Sequence, residues 1–594
     1  MPREYRKYSS EFREKITKIA ISRAITDVAL SAGFTGQGPG SGSAIPDAFD
    51  ERDLGARPGP ARPRRRRAAI ARWAVAAAVC FAVYLRLART TAVNSDGAAQ
   101  VLQAWDMLHG NLLLSGWHTT DVPFYTTEVL EDLLIVAVRG LRPDVVQVGA
   151  AVTYTFVVLL GVALAKGTAT GRAAAARMAL AGGILLAPEL VWGTHELVSS
   201  PDHIGTTVPV LLAWLILERS PRRWWVPVLI AALLAWSVIA DQLVLIIAIL
   251  PLIGVDAVRF PRSTARWYEI SLAACGVAAA LVGLAVPRVI RAMGGYHAGE
   301  VLSGVAPAGR IIHHNVPLAG RGLLILFGAY TPGLPAGVQT WVATLHIVSL
   351  ALVACAVVVT AWRFFRGEDL VPQLLLAGIV LVLVGYVIGV HAAVLENARE
   401  ISCVVPFGAV LAARQFAPRL AAGARGRRIV VPVLAVVLAG YVAGLAAELS
   451  VPAVPPENAK LATWLIKHPL GGSGLSGYWE ANVVTLTSGG RVAIRSLGVP
   501  GGRVIAVHGT ETKTIWWDPA RSYADFIVLG PPADPYGYPG FTRRDLVAAK
   551  FGRPARVYHV GRYTILWFHR NLLTDLGGSR APVRSLAQQP GNGR

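Results

Sequence analysis

Apolar runs about as long as a bilayer is thick recur through most of this chain. A transmembrane helix needs roughly 20 predominantly apolar residues, and such runs fall at 73–88, 145–165, 178–192, 204–218, 225–240, 243–258, 269–287, 341–362, 370–391, 401–417 and 429–448. The pattern predicts about eleven transmembrane helices. The run at 323–330 is too short to cross and reads as an interfacial or re-entrant piece. Two amphipathic segments, 98–109 and 129–141, are expected to lie along the membrane surface.

Beyond residue 450 the pattern changes. Apolar density drops, short β-type runs stand at 483–487, 492–497, 504–507, 526–529 and 563–568, and helices are expected at 457–467 and 543–551. The second helix opens on Thr542-x-x-Asp545, which reads as a capping box, and has Gly552 just past its end. This is a small α/β domain. The run Gly471-Gly472-Ser473-Gly474 reads as a flexible turn, and neither a nucleophile elbow nor a phosphate loop is present.

Composition narrows the class. Apolar types make 54% of the 594 residues and charged types only 16%, against roughly 25% charged in soluble proteins. Mean hydropathy is +0.48. A disordered chain, a coiled coil and an ordinary cytosolic enzyme are excluded. The net charge of +21 would raise nucleic-acid binding in a soluble protein. The excess is instead spread over the whole chain, and Arg outnumbers Lys 49 to 8, so a generic basic surface is expected and no nucleic-acid partner. All four cysteines fall in apolar stretches, with no disulfide framework and no zinc spacing. No early cleavable signal peptide is expected, because the first long apolar run begins near residue 73.

Four regions follow: a basic cytoplasmic leader at 1–70, a transmembrane domain at 71–449, an extracytoplasmic α/β domain at 450–575 and a disordered tail at 576–594. The arginines at 64–67 precede the first span, which places the N-terminus in the cytoplasm. Alternate loops on that side hold 16 of the 25 cations of the membrane region but only five of its 20 acids. The other fifteen acids fall at the outer face, and an odd number of spans puts the C-terminal domain there too. In the leader, Arg6-Lys7-Tyr8-Ser9-Ser10-Glu11-Phe12 and Ala24-Ile25-Thr26-Asp27-Val28-Ala29 resemble the opening of a transposase-type helix-turn-helix domain over about 30 residues. A Gly/Ser/Pro linker follows, so the leader reads as a remnant or a regulatory arm.

The first outer loop carries the chemistry. It runs Asn94-Ser95-Asp96-Gly97-Ala98-Ala99-Gln100, then Trp105-Asp106, Gly110-Asn111, Gly116-Trp117-His118 and Asp121-Val122-Pro123-Phe124-Tyr125. A carboxylate directly after the first span, an amphipathic helix and an aromatic loop resemble the polytopic GT-C glycosyltransferases, especially protein-mannosyltransferase-like members. With the many spans and the exported domain, the resemblance extends over roughly 70–575. It implies a GT-C-like fold in a bacterial plasma membrane. It also implies transfer of a sugar from a polyprenyl-phosphate carrier to an extracytoplasmic acceptor, whether glycan, lipid or protein.

Under that resemblance Asp96 is the candidate base, since an acceptor hydroxyl is a poor nucleophile until a carboxylate takes its proton. The departing lipid phosphate needs cationic donors; Arg399, between Asn397 and Glu400, is best placed, followed by Arg310 and by Arg321, near His313 and His314. Asp96 also stands where an N-cap is favoured, so capping is the competing role. Asp106 reads as a solvated helix residue. The second outer loop gathers His195, Glu196, Asp202 and His203. Asp121, Glu196, Asp202 and His203 are candidate substrate contacts, and Asp96, Asp202 and His203 could hold a divalent cation. Trp117 could stack on a sugar or, with Trp192, Trp224, Trp225 and Trp341, mark a membrane interface. Asp241 and Glu189 either line the same cavity or sit at headgroup depth, and His346 reads as a satisfied core histidine. Two alternatives remain open: a transporter or flippase for a lipid-linked or anionic solute, and a noncatalytic envelope protein.

Overall fold

The computed structural model describes residues 61–186, 193–199, 202–301, 304–334, 336–366, 369–422, 424–456, 458–532 and 540–576. The leader resemblance, Glu189, Trp192 and the tail beyond 576 lie outside the described residues. The chain divides into two compact units, Met1–Cys80 with Ala137–Gly140, and Phe81–Val136 with Leu141–Arg594. Within the first, the described part of helix α1 (Ala61–Ala88) carries mostly exposed apolar side chains. That is the disposition of a helix that lipid rather than protein covers.

The second unit holds the remaining elements. Helix α2 (Ser95–Leu108), strand β1 (Trp117–Thr119) and helix α3 (Glu128–Arg139) precede the bundle. The bundle comprises α4 (Asp144–Lys166), α5 (Gly171–Leu186), α6 (Gly193–Val198), α7 (Ile204–Arg219), α8 (Trp225–Ala240), α9 (Leu250–Arg259) and α10 (Arg266–Ala292). After β2 (His297–Ala298) come α11 (Val316–Leu326), α12 (Val338–Trp362), α13 (Leu370–Ile388), α14 (Val404–Ala422) and α15 (Ala424–Ser450). Each of the eleven apolar runs is mostly helical within its described residues. Seven helices among the described residues are long and apolar enough to cross a membrane. The segments at 171–186, 204–219, 225–240 and 245–259 are shorter. The short run at 323–330 belongs to α11, which a π-helical turn at Ile311–Asn315 precedes.

Close helix approach is built on glycine. A Cβ at Gly283 on α10 would sit 2.5 Å from Val238 on α8, and one at Gly408 on α14 would sit 2.4 Å from Val353 on α12. Small residues let backbones meet where no hydrophobic drive separates helix from lipid.

The C-terminal domain is an α/β unit: α16 (Ala459–Lys467), β3 (Ser473–Gly477), α17 (Tyr478–Thr487), β4 (Ile494–Gly498), β5 (Ala506–Val507), β6 (Thr512–Lys513), β7 (Ala524–Leu529), α18 (Arg544–Phe551), β8 (Arg556–Val560) and β9 (Tyr563–Trp567). Its six-stranded sheet has the order β5-β4-β3-β7-β9-β8. Strands β4, β3 and β7 run parallel and the outer pairs are antiparallel.

Three expectations are corrected here. Residues 483–487 are helical, not a strand: β3 and β4 are parallel neighbours, so the segment between them must cross over, and a helix does this. The glycine run at 471–474 is no flexible turn, because Ser473 and Gly474 begin the central strand. A Cβ at Gly474 would lie 2.2 Å from the Phe526 ring, so glycine is what lets that ring cover the strand. Helix α18 has Arg543 as its N-cap without a side-chain cap bond, and Asp545 pairs with Arg543 at 2.7 Å instead. Gly552 does end the helix, at φ +76°.

Helix α2, expected at the membrane surface, is buried along most of its length, since α17 of the C-terminal domain packs against it. A second sheet, ordered β2-β1-β6, stitches the first loop to the C-terminal domain. Asp106 anchors the junction, accepting from Trp117 Nε1 at 2.8 Å and from Lys513 Nζ at 2.8 Å. It is not the solvated residue expected from its helical position.

Candidate active site

Helix α2 begins at a capped turn. Asn94 supplies the N-cap, its side chain accepting from the Gly97 N–H at 2.8 Å. The capping role considered for Asp96 therefore falls to Asn94, and the Asp96 carboxylate is turned to other partners. Arg399 Nη1 donates to Asp96 Oδ2 at 3.2 Å and to Asp202 Oδ2 at 2.7 Å. The Tyr478 hydroxyl, from the first turn of α17, donates to Asp96 Oδ1. Gln100 Nε2 donates to Asp202 Oδ1 at 3.1 Å. Four segments far apart in sequence thus meet on two carboxylates.

These residues open onto a cavity of about 420 Å³. Its polar lining includes Asp96, Asp121, Asp202, Asp241, Glu400 and Glu511, set against Arg399, His203 and His391. Its apolar lining includes Leu243, Leu245, Ile246, Val301, Val382 and Ile401. The chain is broken where it borders this space. Helix α8 stops at Asp241, which is extended at φ −150°, and resumes as a π-helical turn at Leu245–Ile249. Asp241 Oδ1 accepts the Leu243 N–H at 2.8 Å, which satisfies a donor freed by the break.

Backbone strain is concentrated here as well. Four non-glycine residues among those described have a left-handed backbone, and three of them, Phe124, His203 and Glu511, line the cavity. Each such residue costs on the order of 1–3 kcal/mol and persists only where its surroundings over-determine it. For Glu511 those surroundings are visible: Oε2 accepts from Gln103 Nε2 at 2.5 Å and Oε1 from the Thr120 N–H at 3.0 Å. For His203, Nδ1 lies 2.8 Å from Asp241 Oδ2, and the ring meets Phe124 edge-on.

Burial sets the charges. It pushes the Glu511 carboxyl up to about 8, so this acid is mostly neutral at pH 7. Burial likewise raises Asp121. At His203 burial acts to lower the pKa, but the Asp241 carboxylate outweighs it and the net direction is upward. Burial and the neighbouring Asp96 charge hold the Tyr478 hydroxyl protonated, far above its usual range, which keeps it a donor.

Of the residues singled out in the sequence, Asp96, Asp121, Asp202, His203 and Arg399 border one cavity, and Asp241 joins them. The others stand elsewhere. Arg310 Nη2 donates to the Val390 and Ala392 carbonyls, Arg321, His313 and His314 are exposed, and Glu196 is half-buried on α6 outside the lining. Trp117 is 1% exposed and packs edge-on against Trp516, so its ring faces neither cavity nor membrane interface. Trp224 and Trp341 are exposed, while His346 is buried and stacked on Tyr441. Sequence reasoning missed Gln100, Gln103, Tyr478 and Glu511. The two glutamines follow Asp96 at i+4 and i+7, a helical spacing that places them on one face; Tyr478 and Glu511 carried no such signal.

The cation considered for Asp96, Asp202 and His203 does not fit this arrangement. The two carboxylates converge on a guanidinium nitrogen, and His203 is turned to Asp241. Among the described residues no three His, Cys, Asp or Glu side chains cluster as a metal site.

No family model and no curated protein matches the chain. Among solved structures it is similar to the Archaeoglobus fulgidus oligosaccharyltransferase in complex with Zn and sulfate, at TM-score 0.43 and 11% identity, covering 76% of this chain and 67% of that one. It is also similar to the archaeal oligosaccharyltransferase AglB from Archaeoglobus fulgidus in complex with an inhibitory peptide and a dolichol-phosphate, at TM-score 0.39 and 11% identity, covering 77% and 69%. The apo form of the A. fulgidus oligosaccharyltransferase gives TM-score 0.40 and 12% identity, covering 77% and 69%.

Proposed function

We propose that the cavity is the active site of a GT-C-like membrane glycosyltransferase that moves a sugar from a polyprenyl-phosphate carrier to an acceptor outside the cytoplasm. The observation that carries this reading is one cavity lined both by carboxylates with Arg399 and by apolar side chains such as Leu245, Ile246 and Val382. A lipid-linked sugar has the matching two-part chemistry.

In this reading the acceptor hydroxyl approaches Asp96, which takes its proton as the new bond to the anomeric carbon forms and the bond to the carrier phosphate breaks. The proton ends on Asp96 and the electron pair on the departing phosphate. Arg399 stands beside Asp96 as the donor for the charge that builds on that phosphate. Asp121, Asp202 and His203 contact the substrates.

Cell-envelope glycans from a deletion strain, compared with the same strain complemented by wild type or Asp96→Asn, test the reading. Restoration by wild type alone is the expected result. Full restoration by Asp96→Asn, or no change on deletion, would overturn it.

A further inference from the structure

Both carboxylates beside the cavity already have protein partners, and one guanidinium lies between them. Asp96 Oδ2 and Asp202 Oδ2 share Arg399 Nη1, Asp96 Oδ1 takes the Tyr478 hydroxyl, and Asp202 Oδ1 takes the Gln100 amide. Four oxygens therefore meet three protein donors, from three different segments. A metal ion bridging the two carboxylates would have to displace that guanidinium, because a divalent ion needs its oxygen ligands at about 2.0–2.6 Å with no donor hydrogen in between. Asp202 is buried at 5% exposure, so its charge calls for a positive partner nearby.

We infer that Arg399 is a built-in cation: its guanidinium occupies the position between Asp96 and Asp202 that a divalent ion would otherwise take, and the cavity does its chemistry without one. A tethered guanidinium offers fixed donors and cannot be lost to a chelator. A corollary follows from the same geometry. Removing the guanidinium leaves two facing carboxylates, each still oriented by Tyr478 or Gln100, and so uncovers a latent cation site. This inference concerns the electrostatics of the cavity and holds whether or not the substrate is a lipid-linked sugar.

The test is direct binding of Mn²⁺ to the purified full chain after chelator treatment, read from the free-ion paramagnetic resonance signal. Wild type and Arg399→Lys are expected to hold no stoichiometric ion. Arg399→Ala is expected to gain one per chain, tighter by about tenfold or more than any residual wild-type binding. Adding Asp202→Asn to Arg399→Ala should abolish that gain. One Mn²⁺ per wild-type chain, lost on Asp202→Asn, would overturn the inference, and so would a folded, monodisperse Arg399→Ala protein that gains none. If Arg399→Ala does not fold, the wild-type titration decides on its own: a bound ion lost on Asp202→Asn refutes the inference, and no bound ion upholds it.

Discussion

Two arginines in this protein each sit between two carboxylates, and they do different work. Arg399 bonds Asp96 and Asp202 beside a cavity. Arg414 bonds Glu218, lies 3.5 Å from Asp369 and donates through Nε to the Leu164 carbonyl at 3.1 Å. Leu164 is near the end of α4, whereas Val146 near its start packs beside Gly97 of the Asp96 turn. At 1.5 Å per residue the two clusters are separated by roughly 27 Å of helix. Arg414 is only 4% exposed and borders no part of the cavity. Similar ionic groups thus make a staple at one end of the bundle and, at the other, the cavity wall that we propose to be reactive; access to the cavity is what separates them.

Function gives the largest expected contrast. Asp96→Asn keeps the size of the side chain and removes its basicity, so transfer is expected to fall by about 10²–10⁴-fold while the chain still inserts and folds. Glu218→Gln at the staple should leave transfer rates unchanged. Envelope glycan profiles or transfer assays on membranes compare the two. Equal losses would mean that both clusters are structural.

Stability gives the reverse contrast. Arg414→Ala leaves Glu218 and the Leu164 carbonyl without their donor in an enclosed site, at a cost of about 3–5 kcal/mol. Arg399→Ala is expected to cost less, because the cavity admits water to the exposed carboxylates. Thermal unfolding in detergent ranks the pair, and a larger loss for Arg399→Ala would erase the distinction.

The sequence made one of these clusters legible and left the other dark. Apolar run lengths located eleven mostly helical segments among the described residues, seven of them long and apolar enough to cross a membrane, and the acid directly after the first apolar run pointed to Asp96. Arg399, Asp202 and His203 were found by reading polar residues at helix ends. Arg414 was legible only as a positive charge in a loop, because nothing in its neighbourhood announces the Leu164 carbonyl or Glu218. The C-terminal domain's share was invisible for a related reason. Tyr478 and Glu511 lie 382 and 415 positions after Asp96, and only the packing of α17 on α2 and the pairing of β1 with β6 bring them in. The glycine strand at 473–477 was misread because its reason for being glycine is the Phe526 ring on another strand.

Asp106 tests whether that domain must dock for the cluster of Asp96, Asp202 and Arg399 to form. Asp106→Ala orphans Trp117 Nε1 and Lys513, at a cost of about 2 kcal/mol, and should speed hydrogen exchange in β1 and β6 while leaving the Arg414 region protected. Uniform exchange through both regions would show that the two ends are not independent.

Glu511 provides the finest discrimination, since its effect is confined to a pH window. Its carboxyl titrates at about 8 in the folded chain, against roughly 4.3 when unfolded. Between those values the folded state keeps a proton that the unfolded state has released, so stability falls as pH rises through the window, by at most about 1.4 kcal/mol per unit, and levels off above it. Glu511→Gln is neutral throughout. Its amide can accept the Thr120 N–H and donate to the Gln103 side-chain oxygen, which has no partner in the native arrangement. The variant should therefore match wild type near pH 4 and exceed it increasingly toward pH 8. At the staple, Glu218→Gln removes one charge from an ion pair and should lower stability at pH 7. Unfolding temperatures across that range compare them, and a Glu511→Gln curve as steep as wild type would mean that the outer wall carries its charge at neutral pH.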